Sequence, residues 1–271
     1  MAPKVTLTCF AGRRRYLEIL ITYVNELLDK SLVDEFHLWD YTRDPEDAKW
    51  IQENCQKYKI FEVQDKSTWK EYYEYYGNLK WTDPMAIYIK CDDDIVFIDV
   101  DAFKGFLHNR IENPNDLLAF PSIVNNHVTF IIQQTMGLWS TLDGQVLESH
   151  EAIADGIHGA FLEDPTNFIQ NSRALFPRKC VINKNSPIHI NINFFAILAK
   201  DLHVFTTCWE NDELNLALYI PRWSGRNNYI DPSFVVCHMA FGLQRDAGFN
   251  EEPHLEKYLE LSVAAKNLTI L

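Results

Sequence analysis

Three consecutive carboxylates, Asp92, Asp93 and Asp94, stand between the apolar runs Met85–Cys91 and Ile95–Ile98. Adjacent negative charges repel, and at the carboxyl end of a buried strand they cannot all be solvated as they would be on an open helix face. A divalent cation resolves the conflict. In an extended or turning chain Asp92 and Asp94 project to one side while Asp93 points away. A magnesium-type site needs only one or two carboxylates and draws its other ligands from water and substrate phosphates. The competing reading is an exposed acidic turn; the strands on both sides weigh against it, because open α/β sheets bind ligands beyond the carboxyl ends of their strands. Lys90, two positions before the triplet, is placed to balance these charges or to reach a phosphate, with a solvated strand-end lysine as the alternative.

The elements that position this triplet begin at the amino end. Lys4–Phe10 is β-branched and apolar, Ala11-Gly12 breaks it, and Leu17, Leu20, Ile21, Val24, Leu27 and Leu28 recur at helical spacing. Asp34–Asp40 alternates as a second strand. Asp44 then caps a helix that opens on Pro45 and runs to about Tyr58, with a strand at Ile60–Val63 after it. Trp69–Tyr76 reads as a helix over the sheet and Met85–Cys91 as a central strand. Short strands alternating with such helices predict a mixed α/β fold with a mainly parallel sheet covered on both faces. Further on come a helix over Asp101–Arg110, a strand at Leu117–Ser122, a helical or extended Asn126–Gly137 and a less periodic stretch to about Lys184. Strands at Ile188–Asn193 and Ser233–Ala240, a short helix at Asp212–Tyr219 and a terminal helix at Pro253–Ala264 complete the expectation. No repeat, low-complexity tract or linker divides the chain, so one domain over residues 1–271 is expected.

The first strand and turn, Thr8-Cys9-Phe10-Ala11-Gly12-Arg13, paired with Lys90-Cys91-Asp92-Asp93-Asp94-Ile95-Val96-Phe97, resembles the nucleotide-sugar-dependent glycosyltransferases of the Rossmann-like GT-A fold. In that family a DxD motif holds a metal on the donor diphosphate. Within it, the chain is similar to the small glycosyltransferases that chloroviruses encode to decorate capsid protein; the resemblance covers about the first 100 residues. It implies a nucleotide-sugar-binding half over about 1–100 and an acceptor-side half over about 101–271, with Mn²⁺ or Mg²⁺ on Asp92 and Asp94. Asp93 is expected beside them as a donor-binding residue. Phe10, Ala11, Gly12 and Arg13 are implied as nucleotide contacts, which agrees with glycine allowing close backbone approach and arginine pairing with phosphate or stacking on a base. Asp40 and Tyr41, after Trp39, fall where base and ribose are recognised. In Trp209-Glu210-Asn211-Asp212-Glu213-Leu214 the resemblance implies an acceptor base, Asp212 first, with Glu210 and Glu213 behind it; plain helix capping is the other reading. His238, at the end of a late strand, is expected to complete the metal site, as a carboxyl-terminal histidine does in several members of the fold. A satisfied core histidine is the alternative for His238, and His203 is a weaker competitor for the same role.

The function so implied is transfer of a sugar from a UDP-sugar to a carbohydrate hydroxyl on a glycan or glycoprotein acceptor, in viral capsid glycan synthesis. Two rivals stand beside it. One is a sugar-nucleotide nucleotidyltransferase, for which Gly12 with Arg13–Arg15 is a partial phosphate-binding opening; the other is a non-catalytic metal-dependent glycan-binding module. There is no GxxxxGK[ST], GxGxxG or GxSxG, which removes the main support for P-loop kinases, dehydrogenases and α/β-hydrolases. The 25 basic and 38 acidic residues leave a net charge of −13, which argues against nucleic acid or an anionic membrane as partner. No apolar run approaches the length of a transmembrane segment. Six cysteines without CxxC spacing and an amino end unlike a cleaved signal lead to a reducing, cytoplasmic setting, that of the host if the chain is viral. Trp139, Trp209 and Trp223 are candidates for a sugar platform.

Overall fold

The computed structural model describes residues 2–139, 151–175, 179–208 and 210–268. Strand β1 (Val5–Ala11) is buried along its whole length, and the chain turns at Gly12-Arg13 into α1 (Arg14–Asp29), which lays Leu17, Leu20, Val24 and Leu27 on the sheet. β2 (Glu35–Asp40) leads to α2 (Pro45–Asn54), where the Asp44 carboxylate accepts the backbone N–H groups of Glu46 and Asp47 as the expected cap. This helix stops at Asn54, short of Tyr58, because Cys55 leaves helical geometry and closes the last turn on Ile51. β3 (Lys59–Glu62), α3 (Lys70–Gly77) and β4 (Ile87–Asp92) follow. A two-residue turn at Asp93-Asp94 joins β4 to β5 (Ile95–Ile98).

The second half contains α4 (Val100–Glu112), β6 (Ala119–Val124), α5 (His127–Thr135), α6 (Glu151–Glu163) and α7 (Pro165–Leu175). The stretch that reads as less periodic therefore carries two helices. In α6 the helical spacing of Ile153, Ile157 and Phe161 is interrupted by Gly156 and Gly159, which lowers its propensity without breaking it. Next come β7 (Cys180–Ile182), β8 (Phe194–Leu198) and a 3-10 helix (Ala199–Thr207). The short helix expected at Asp212 is present as α8 (Asp212–Leu214), running through a π turn (Asn215–Tyr219) into α9 (Ile220–Ser224). β9 (Asn228–His238), α10 (Gly242–Asp246) and α11 (Glu252–Leu268) complete the chain.

Two strand expectations are corrected. Ile188–Asn193 is not a strand, and β8 starts at Phe194, because Asn126 and Lys90 side chains take the main-chain carbonyls of Asn191 and Ile192. β9 starts at Asn228 and continues through Pro232, the residue that truncates the sequence reading. The register with β6 slips there, Pro121 facing Asp231 and Ser122 facing Val235, so the proline sits in a bulge where its missing N–H leaves no ladder gap.

The strands form one sheet in the order β3-β2-β1-β4-β8-β6-β9-β5, with β7 also on β9. β3, β2, β1, β4, β6 and β9 run the same way; β8, β5 and β7 are antiparallel to their neighbours. This is the mixed, mainly parallel α/β sheet that the sequence predicts, and strands from the two halves share it. One face packs α1, α4, α6 and α11 over Leu7, Cys9 and Ile89; the other packs α3 and the 3-10 helix over Phe10, Trp39 and Phe195. In register, Phe10 lies beside Asp92, Ala11 beside Asp40, Val124 beside Cys237 and Ile95 beside His238. The ends of β1, β2, β4, β6 and β9 consequently converge on one edge of the sheet.

Candidate active site

A cavity of about 670 Å³ opens at that carboxyl edge. All three carboxylates of the triplet line it, Asp92 paired with Lys90, and Asp93 and Asp94 sharing Arg13. Asp92 takes the ammonium of Lys90 and, at 3.2 Å, the Asn193 side-chain amide. Asp93 does not point away, as an extended chain would direct it. The turn after β4 swings it onto the β1–α1 connection, where it accepts the Gly12 N–H at 2.9 Å and Arg13 Nη2 at 2.5 Å. Asp94 accepts Arg13 Nη2 at 2.8 Å, lies 3.6 Å from Arg245 Nη1, and faces His238 Nε2 at 3.5 Å. A β-carbon on Gly12 would stand 3.3 Å from the Asp93 carboxylate, so a glycine is what lets the backbone donate there.

Identical side chains in this turn are electrostatically unequal. Burial would raise Asp94, but His238, Arg13 and Arg245 together hold its carboxyl well below the usual carboxylate range. Burial raises Asp92 and Asp93 above that range, opposed by Lys90 and by Arg13 respectively. Lys90 is itself buried between strands, which alone would lower it; Asp92 and Asp212 keep it charged, and its ammonium also donates to the Ile192 carbonyl at 2.9 Å.

The donor set fits a hard divalent cation. His238 donates its Nδ1–H to the Asn125 carbonyl at 3.1 Å, which leaves Nε2 facing the Asp94 carboxylate oxygen at 3.5 Å, where the two can share a proton or, in its place, a cation. Among the described residues no three His, Cys, Asp or Glu side chains are gathered closely enough to hold a metal ion by themselves, so an ion here would need phosphate and water ligands as well.

The remaining wall comes from loops. Asp40, buried behind the cavity, accepts Lys66 Nζ at 3.1 Å and the Thr42 N–H at 2.9 Å, and so anchors the loop that carries Tyr41 and Arg43. Ala11 is buried, its carbonyl accepting the Tyr41 N–H at 2.8 Å. Phe10 stacks on Trp69 at 4.9 Å and lies beneath the Lys90 ammonium at 4.8 Å. Across the cavity Asp212 accepts the Tyr73 hydroxyl at 2.8 Å, and Glu213, raised by burial against the pull of His189, accepts His189 Nε2 at 3.1 Å and the Asn191 amide at 3.0 Å. The cap of α8 is Asn211, which accepts the Leu214 N–H at 3.1 Å, while Asp212 Oδ1 accepts the Glu213 N–H at 2.9 Å and its Oδ2 takes the Tyr73 hydroxyl.

Phe10, Gly12, Arg13, Tyr41, Lys90, Asp92, Asp93, Asp94, Asp212, Glu213 and His238 thus line one cavity; Ala11 and Asp40 support it from behind. Glu210 is exposed and outside it. His203 lies in the 3-10 helix after β8, at the opposite edge of the sheet. Of the aromatic candidates, Trp139 is buried, donating Nε1 to Gln133, Trp223 is exposed and stacked on Tyr219, and Trp209 lies outside the described residues. The wall residues that sequence reasoning missed are Arg43, Lys66, Trp69 and Arg245. Arg43 and Lys66 follow β2 and β3, and that position after a parallel strand was their one available signal.

No family model and no curated protein matches the chain. Among solved structures it is similar to a CMP:2-keto-3-deoxy-manno-octonic acid synthetase complexed with CTP, at 13% identity and a TM-score of 0.46, covering 98% of this chain and 100% of that one. It is also similar to the 4-diphosphocytidyl-2C-methyl-D-erythritol synthase of Anaerococcus prevotii, at 12% identity and a TM-score of 0.44, covering 96% of each. Likeness of this degree assigns no function. The UDP-sugar glycosyltransferase expectation has no counterpart in either structure, both being named for making cytidine-nucleotide-linked compounds. The expectation is corrected accordingly, and the chloroviral resemblance has no counterpart in these two structures. Among the described residues no helix is long and apolar enough to cross a membrane.

Proposed function

We propose that the cavity is the active site of a metal-assisted nucleotidyltransferase, which joins the nucleoside monophosphate part of a nucleoside triphosphate to an oxygen of a sugar or similarly hydroxylated acceptor. The observation that carries this reading is a convergence. Five cationic side chains from five separate segments, Arg13, Arg43, Lys66, Lys90 and Arg245, meet the acidic turn in one cavity. With a divalent ion on the acidic turn, that complement suits the charge of a triphosphate.

In the proposed reaction the acceptor oxygen attacks the α-phosphorus, the bond to the bridging oxygen breaks, and pyrophosphate leaves. Asp92, Asp94 and Nε2 of His238 would hold a divalent ion, which when bound neutralises charge on the phosphates. Arg13 exchanges its carboxylate partners for phosphate oxygens, since a guanidinium forks onto either. Lys90 and Arg245, both tethered, hold charge near the leaving group without reorganising. Tyr41 and Trp69 offer an aromatic wall to the base. Asp212, oriented by Tyr73, receives the proton of the attacking hydroxyl.

Calorimetric titration of the four nucleoside triphosphates tests this reading. At least one should bind with affinity that falls tenfold or more when Mg²⁺ is omitted, and the same loss should follow Asp94→Ala in the presence of Mg²⁺. Binding that ignores both Mg²⁺ and Asp94 would overturn it.

A further inference from the structure

Asn125 does not line the cavity, yet its side-chain amide and its carbonyl are spent on residues that do or that adjoin those that do. It follows β6 directly, is fully buried, and holds φ at +61°, a left-handed conformation shared among the described non-glycine residues only with Ser31. Asparagine tolerates that region better than most residues. Its amide is saturated: Nδ2 donates to the Met239 carbonyl at 2.8 Å and to Gln244 Oε1 at 3.0 Å, and Gln244 Nε2 donates back to Oδ1 at 2.9 Å. The turn is therefore locked from its side chain, and what the locked turn presents is its carbonyl, which accepts the Nδ1–H of His238. The peptide after His238 is pinned as well, since Met239 N–H donates to the Asp94 carbonyl at 2.8 Å and the Met239 carbonyl also accepts His158 Nε2 at 2.7 Å.

We propose that Asn125, together with Gln244, is a positioning residue that fixes the tautomer and ring orientation of His238, so that Nε2 is presented with its lone pair toward Asp94. This rests on the reading of His238 as a metal-site residue. A histidine ligand is set by the hydrogen bond at its other nitrogen, and loss of such an outer partner typically weakens metal binding by about 10–100-fold.

Asn125→Gly keeps the left-handed turn and the carbonyl while removing the amide that locks them. The measurements are ¹⁵N spectra of histidine-labelled, metal-free protein at alkaline pH, where imidazoles are neutral, and Mn²⁺ affinity by calorimetry. In the wild type His238 should be the Nδ1–H tautomer; in Asn125→Gly it should be a mixture, with Mn²⁺ affinity down about 10–100-fold. A variant that melts earlier but keeps the single tautomer and wild-type Mn²⁺ affinity would overturn the proposal and make Asn125 merely structural. Asn125→Asp, which keeps the left-handed tolerance and size but loses the donor, should repeat the weaker binding. Equal Mn²⁺ affinity in the wild type and His238→Ala would instead overturn the ligand reading of His238, and the tautomer spectra report on Asn125 separately.

Discussion

Arg13 is the residue on which the state of the site turns. Its guanidinium bridges Asp93 and Asp94, so in the nucleotide-free protein it competes for the carboxylates that a cation would use. Arg13→Met should raise the Mn²⁺ affinity of the nucleotide-free protein several-fold. It should also weaken triphosphate binding by about tenfold or more, because a charge-assisted hydrogen bond is worth roughly 1.5–3 kcal/mol. Calorimetry with each ligand alone checks both signs, and opposite movement of the two affinities is the signature. Charge crowding made this acidic turn legible in the sequence. Its partition did not follow, because Arg13 and His238, which set Asp93 and Asp94 apart from Asp92 and its neighbour Lys90, sit on a turn and a strand distant in sequence. Arg245 was invisible for the same reason, reaching Asp94 from a five-residue helix with no periodicity to read.

At the scale of elements, α3, whose N-cap Trp69 stands on the cavity wall, is held by close contacts. A β-carbon at Gly77 would approach Thr206 Cγ2 to 2.7 Å and the Thr206 backbone nitrogen to 2.8 Å. Gly77→Ala should therefore destabilise by about 1–3 kcal/mol through overpacking, despite alanine's better helix propensity, as urea denaturation would measure. The same helix sets an acid limit. His37, on β2, contacts the Tyr76 hydroxyl at 2.6 Å and Glu35 at 3.1 Å; burial outweighs Glu35 and lowers it from 6.5 to about 4. Between those values the unfolded chain takes a proton that the folded one refuses. Stability is thus full above about pH 6.5 and falls toward pH 4, by at most about 3 kcal/mol from this group. His37→Gln should flatten that part of the pH profile. β1 through β4 were legible because apolar alternation and caps agree locally. Where polar side chains bind the backbone, as at Asn191 and Ile192, or a bulge absorbs a proline, as at Pro232, local pattern and structure part.

Over the whole molecule, the net charge of −13 repels a nucleotide, and the cavity sets 5 lysines and arginines beside seven carboxylates, so a bound cation would have to supply the rest of the positive field. The local field, not the global one, must do the binding. The six cysteines are unpaired, five of them buried and Cys180 partly exposed. A thiol reagent should therefore label Cys180 first in the native protein and all six only after denaturation; fast native labelling of a second cysteine would contradict the packing. The central claim is that the cavity cleaves a triphosphate between its α- and β-phosphorus. A single-turnover experiment with α-³²P-labelled nucleoside triphosphate, Mg²⁺ and a panel of sugars and sugar phosphates measures this directly. Label entering a nucleotide–sugar product with one pyrophosphate released per label transferred, and neither occurring with Asp94→Ala, is the expected result. Intact triphosphate across the panel, or sugar transfer from a nucleoside diphosphate sugar without pyrophosphate, would contradict it.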